Sequence, residues 1–291
     1  MRRSEIIAKF YELSEGEEIS DITERLLQSP DISQKHKDAL ISLGKRVYIF
    51  TYPSDGLKIK AFISFVPDGS PRPLILQMRG GNKLFGLMNP ANELSLFNDY
   101  PVICTSLRGG VSEGEDEFGG ADVNDIQNLV DYLPVLEKKI QHPLQNQKLY
   151  IVAYSRGGME MFLALARFPV LQKRVSKIVA LSGLLDLRMT LSDRRDMNDM
   201  FVREFGLNNH NYEEWISHRD PLMTADKIRF DLPILIVQGT NDIRVPLEAG
   251  YHMVQALQEK NCTVTYWELE GNHCLRNRSD TISLIFNWLE N

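Results

Sequence analysis

The chain has 291 residues, 43% of them apolar, with 33 basic and 39 acidic side chains and a formal net charge of −6. That length and composition suit one large α/β domain with a small appendage and a substantial core. The acidic balance argues against a broad nucleic-acid or anionic-membrane surface, no apolar run approaches a membrane span, and no glycine-rich segment carries the lysine of a phosphate loop.

The N-terminal stretch from Met1 to Lys9 is basic, but Glu12, Glu15, Glu17 and Glu18 follow where the apolar core of a signal peptide would lie. Cys104, Cys262 and Cys274 show no metal spacing and read as reduced thiols, so a cytoplasmic protein is expected. Residues 1–45 place Ile6, Phe10 and Leu13, then Ile22, Leu26 and Leu27, at helical spacing, which predicts a small helical appendage to a domain spanning 46–291. Next, Arg46 to Thr51 and Leu57 to Val66 are β-rich runs around the turn sequence Pro53-Ser54-Asp55-Gly56. They predict an antiparallel hairpin at one edge of a sheet.

Thereafter apolar strands near 73–78, 101–105, 148–153, 177–182, 233–238 and 263–269 alternate with helical stretches. This rhythm predicts an α/β fold whose mostly parallel sheet is covered on both faces, with active residues at the C-terminal ends of the strands. Between Gly183 and Leu232 it breaks into a charged, Met-rich segment containing Met189, Met197, Met200, Phe201, Phe205, Tyr212 and Trp215. A helical insertion over 184–230 is expected, its apolar residues either lining a substrate pocket or packing the insertion onto the body.

Three strand ends carry the chemistry. Leu149 to Ala153 runs into Tyr154-Ser155-Arg156-Gly157 and then into a helix-forming stretch, which puts Ser155 at the apex of a sharp turn with small neighbours Ala153, Gly157 and Gly158. Asp242 follows the apolar run Leu232 to Val237, and His273 follows the strand-like run Val264 to Leu269. A neutral serine hydroxyl is a poor nucleophile, so His273 would take its proton and Asp242 would fix the imidazole tautomer. Taken singly, Ser155 reads equally as a turn former, Asp242 as a helix N-cap ahead of Pro246, and His273 as a surface loop residue. Their occurrence at successive strand ends in the order Ser, Asp, His favours catalysis. An oxyanion hole is expected from the amide of Arg156 together with one from the loop Gly80-Gly81-Asn82, after the buried-strand run Pro73 to Met78; an ordinary Gly-Gly turn has the same signature.

These segments resemble the α/β hydrolases of the prolyl oligopeptidase family. The resemblance also rests on Thr105-Ser106-Leu107-Arg108-Gly109-Gly110, on Phe118 to Asp125, on Gln238 to Pro246 and on Gly271-Asn272-His273. It implies an α/β-hydrolase fold, a helical lid in the 184–230 insertion, and a single-domain form without the family's β-propeller, because only about 45 residues precede the first expected strand. The chain departs from the family pattern at Ala153, where glycine is usual, and at Arg79-Gly80-Gly81, where histidine or tyrosine often precedes the glycines.

Arg79, Arg108, Arg156 and Arg244 all follow strand ends, and Tyr154 abuts the nucleophile. Arg79, Arg108, Tyr154 and Arg244 are therefore candidate substrate-binding residues, with an anionic substrate group as one reading and arginine pairing to nearby acids such as Glu113, Glu115, Asp116, Glu117 or Asp122 as the other. The expected function is hydrolysis of an ester, thioester or amide through an acyl-enzyme on Ser155, with a small-peptide hydrolase and a catalytically silent binding module as alternatives. The expected partner is a small-molecule or short-peptide substrate, with no cofactor. No metal is expected either, since His36, His142, His210, His218 and His252 lack a ligand pattern.

Overall fold

The computed structural model describes residues 3–93, 97–144 and 147–291; Met1 and Arg2, at the start of the expected appendage, lie outside them. Among the described residues nine strands hydrogen-bond in the order β1-β2-β3-β5-β4-β6-β7-β8-β9. The chain divides into two compact units, one formed by Met1–Asp116 with Asn124–Tyr150 and the other by Glu117–Val123 with Ile151–Asn291.

The first unit contains β1 (Ile19–Asp21), β2 (Arg46–Ser54), β3 (Leu57–Phe65), β4 (Leu74–Met78) and β5 (Val102–Thr105). Its helices are α1 (Arg3–Ala8), α2 (Thr23–Gln28), α3 (Gln34–Leu43), α4 (Pro90–Glu93) and α5 (Asn124–Ile140). β2 and β3 form the expected antiparallel hairpin, with Ser54 opposite Leu57. Asp55 and Gly56 both have positive φ, 50° and 83°, the geometry that matches a two-residue turn to the twist of its strands. The hairpin is not at the edge, however, because β1 pairs antiparallel on the outer side of β2. At three residues, β1 is too short to show an alternating pattern in the sequence. The segment before Arg46 packs firmly into this unit: the Tyr11 ring meets Phe62 edge-on at 4.5 Å and its hydroxyl donates to the Met88 carbonyl at 3.1 Å. β4 and β5 run parallel and are buried along their whole length, the pattern of strands covered on both faces.

β6 (Leu149–Tyr154) begins in the first unit and ends in the second. The second unit continues with α6 (Arg156–Arg167), α7 (Pro169–Arg174), β7 (Val175–Leu181), α8 (Leu187–Asp193), α9 (Arg195–Phe205), α10 (Tyr212–Ser217), β8 (Ile234–Gly239), α11 (Leu247–Glu259), β9 (Val264–Leu269) and α12 (Ser279–Glu290). β7, β8 and β9 are parallel, and β8 is buried at every residue. Apolar runs of this kind leave no polar face for water, so each must be sandwiched between helices. In the 184–230 segment, Phe201 is fully buried with its ring edge-on to Phe118, Phe205 and Trp215 at 4.8, 5.3 and 5.0 Å. These aromatics are packed against one another, which is the packing alternative of the sequence reading for Phe201, Phe205 and Trp215.

Candidate active site

The turn between β6 and α6 holds Ser155 at φ 55° and ψ −123°, a region that a non-glycine residue seldom occupies. Three backbone hydrogen bonds impose it: the Ser155 amide donates to the Leu181 carbonyl at 3.2 Å, and the Ser155 carbonyl accepts from the amides of Gly158 and Leu184, both at 2.9 Å. The close approach requires glycine at Gly158, where a Cβ would lie 2.9 Å from the Cα of Gly183. Strain over-determined in this way exposes the side chain of the apex residue.

Asp242 and His273 come from the loops after β8 and β9, which are pressed together. The Asn241 amide donates to the Gly271 carbonyl at 2.8 Å, and a Cβ on Gly239 would stand 2.6 Å from that same oxygen. The Asp242 side chain is 1% exposed and that of His273 11%. His273 Nδ1 lies 2.7 Å from Asp242 Oδ2, and His273 Nε2 lies 3.0 Å from Ser155 Oγ. Asp242 Oδ1 accepts from the amides of Arg244 and Val245 at 2.8 and 3.0 Å, so the carboxylate cannot swing away from the ring without losing both. Asp242 thus caps its own loop rather than α11, whose N-cap is Pro246.

Tyr154 holds the backbone of the His273 loop and packs beside its ring. Its hydroxyl donates to the His273 carbonyl at 2.7 Å, and the two rings are 5.1 Å apart. Burial pushes the phenol's pKa well up, which keeps it a donor at all ordinary pH. The Arg276 guanidinium lies 4.3 Å above the Tyr154 ring, a residue the sequence reading did not single out. No local sequence pattern signals it, since Tyr154 lies 122 positions away. Arg244 contributes its backbone amide to Asp242, while its side chain is exposed.

The other arginines are engaged with acids. Arg156, 2% exposed, bonds Asp122 Oδ2 through Nη2 and Glu160 Oε1 through Nε, each at 2.5 Å, and its guanidinium covers the Phe118 ring at 4.2 Å. In the first unit, buried Arg108 meets Asp125 at 2.8 Å and Asp55 at 2.7 Å. Arg79, also buried, donates to the Ser106 carbonyl at 2.9 Å and lies 4.0 Å from Asp116. The pairing alternative therefore describes the guanidinium groups of Arg79, Arg108 and Arg156. Gly80, Gly81 and Asn82 follow β4 in the same unit, Gly81 at φ 68° against Phe85 and Gly86. A cleft of about 480 Å³ in that unit, lined among others by Leu13, Glu17, Thr51, Lys58, Lys60 and Ser112, contains none of the predicted site residues.

A sequence model of the prolyl oligopeptidase family matches residues 92–291. The chain is 26% identical over 226 residues to the uncharacterized peptidase YtmA of Bacillus subtilis, covering 76% of this chain and 83% of that one. It superposes on an acylaminoacyl peptidase in complex with Z-Gly-Gly-Phe-chloromethyl ketone with a TM-score of 0.69 and 19% identity, over 84% of this chain and 41% of the other. The Pyrococcus furiosus esterase Pf2001 superposes with a TM-score of 0.63 and 15% identity, over 86% of this chain and 94% of the other. These likenesses show the α/β-hydrolase fold. The chain spans 27–29% of the length of the longer curated relatives it matches.

Proposed function

This chain belongs to the prolyl oligopeptidase family, and from that premise we propose that it is a serine hydrolase that cleaves an ester, thioester or amide through an acyl-enzyme on Ser155. The observation that carries the reading is the His273 ring, bridging Asp242 at 2.7 Å and Ser155 at 3.0 Å. With Nδ1–H donated to Asp242, Nε2 is left as the acceptor for the serine proton. The hydroxyl then attacks the substrate carbonyl as its proton moves to Nε2, and the imidazolium returns that proton to the leaving group. Asp242 stabilises the imidazolium and fixes the ring. The Arg156 amide, the first of α6, is the proposed donor to the tetrahedral oxyanion, worth roughly 2.7–4 kcal/mol for such a group. The sequence assigns the second donor to the Gly80-Gly81-Asn82 loop. Water activated by His273 releases the acyl group.

The names of the relatives, a peptidase and an esterase among them, support carbonyl substrates of both kinds, and short peptides are the proposed amide class. A fluorophosphonate probe tests the central claim. Covalent labelling of the wild type, abolished in Ser155→Ala, is expected; a folded wild type that stays unlabelled would instead identify a silent binding module.

A further inference from the structure

We propose that Arg156 has a positioning role through its side chain: the guanidinium, gripped by Asp122 and Glu160, holds the first turn of α6 so that the Arg156 amide points at the developing oxyanion. This inference rests on the serine-hydrolase reading of Ser155.

Three observations within the second unit converge on it. First, the ion cluster is dry: the Arg156, Asp122 and Glu160 side chains are 2%, 0% and 1% exposed. Burying a cation beside the nucleophile is costly unless its partners are fixed, and here they are. Glu160 is four residues along the same helix, so its 2.5 Å bond braces the first turn against the second. Asp122 sits on another segment, and its own two oxygens each accept from the Gly119 amide at 3.1 Å. Second, Phe118, at φ 51°, lies under the guanidinium plane at 4.2 Å, and its ring is set in turn by Phe201. A planar fork with one face covered and two edges bonded has a single orientation. Third, the cluster places a cation at the N-terminus of α6, where the helix dipole favours the opposite sign. Asp122 and Glu160 offset that cost, and the arrangement removes the Arg156 side chain from substrate recognition.

The decisive experiment measures saturation kinetics of fluorophosphonate inactivation for wild type, Ser155→Ala, Arg156→Lys and Asp122→Asn. Each is assayed at a temperature where circular dichroism shows it folded. Lysine keeps the charge but cannot bond two carboxylates along fixed directions; asparagine keeps the acceptor for the Gly119 amide and removes the charge. Ile178→Val, in buried β7, is the control for stability loss without a change near the cluster. The expected result is a maximal inactivation rate lowered about 10–100-fold in both cluster variants. Half-saturation should change less than about threefold and the pH profile should stay parallel to wild type, because neither substitution touches the Asp242–His273 contact, whereas Ile178→Val reacts at the wild-type rate. A folded Arg156→Lys or Asp122→Asn that reacts like wild type, or an Ile178→Val slowed equally, overturns the positioning role while leaving the nucleophile assignment intact. A wild type that fails to label at Ser155 overturns the nucleophile assignment, and the positioning role falls with it.

Discussion

At the scale of single residues, the proposed site is three side chains whose value depends on their joint geometry. Ser155→Ala and His273→Ala are each expected to lower turnover by roughly 10⁶-fold, and Asp242→Ala by roughly 10⁴-fold, by analogy with triads dissected elsewhere. Steady-state rates on an activated ester check this; retained turnover in Ser155→Ala or His273→Ala would remove that residue from the mechanism. The smaller loss expected for Asp242 follows from its proposed task, which is to orient the His273 ring and stabilise its charged form without itself exchanging a proton with Ser155. All three were legible in the sequence as candidates because each follows a strand-like run and the order Ser, Asp, His is informative. Arg156 was legible as a backbone donor and as one of four strand-end arginines set to pair with acids that included Asp122, 34 positions away. Its bond to Glu160, one helical turn along α6, was not singled out.

At the scale of elements, the loops after β8 and β9 set Asp242 and His273 against each other through backbone contact. Gly239 ends β8 where a Cβ would meet the Gly271 and Asn272 carbonyl oxygens at 2.6 and 2.9 Å. Gly239→Ala must therefore push the histidine loop outward, at a cost of about 1–3 kcal/mol in stability. Turnover should fall more than that stability loss explains, since the displacement is transmitted to His273. Thermal unfolding and probe labelling on the same sample decide it, and wild-type labelling in a destabilised Gly239→Ala would refute the coupling. The strands β4 to β8 were readable because each is built on a short apolar run, such as Leu149–Tyr154 and the Ile-Leu-Ile-Val that opens Ile234–Gly239. β1 was not, because three residues satisfy no period, and its pairing with β2 depends on register rather than composition. The 184–230 segment reads as helical from its spacing, but which of its aromatics face a pocket and which face each other is decided by contacts such as Phe118 to Phe201, invisible in a local window.

At the scale of the whole molecule, stability should carry a pH dependence that originates in buried bases of the first unit. Lys45 is 2% exposed, and burial brings its amine down to about 7, with Asp99 opposing the shift and Arg72 adding to it. The native state therefore holds this proton less tightly than the unfolded chain, and stability rises as pH climbs from about 7 toward the ordinary lysine range. Lys45→Met should be more stable than wild type at pH 7, with the gap narrowing toward pH 10; denaturant titrations showing a pH-independent gap would refute it. His142 acts in the same direction at lower pH. Burial depresses its pKa, its ring stacks on Phe65 at 4.6 Å, and neither ring nitrogen has a hydrogen-bond partner among the described residues. Its contribution is complete above the ordinary imidazole value and is lost as pH falls through the depressed one. His142→Phe is expected to flatten the acid side of the stability curve, and an unchanged slope below pH 6.5 would count against it. Neither base was visible as a buried group in the sequence. The boundaries of the two units were also hidden, because no composition break marks positions 116, 123 or 150.

The assignment of Glu117–Val123 to the second unit fixes an order of events during synthesis. As the chain leaves the ribosome, Asp122 emerges well before Arg156, flanked on both sides by residues that belong elsewhere. Its carboxylate must wait for its ion pair until the guanidinium beside Ser155 has been translated. When Tyr150 is added, Arg156 and Glu160 have yet to be made, so the ion cluster beside the Ser155 turn can close only after the Glu117–Val123 segment has waited for them.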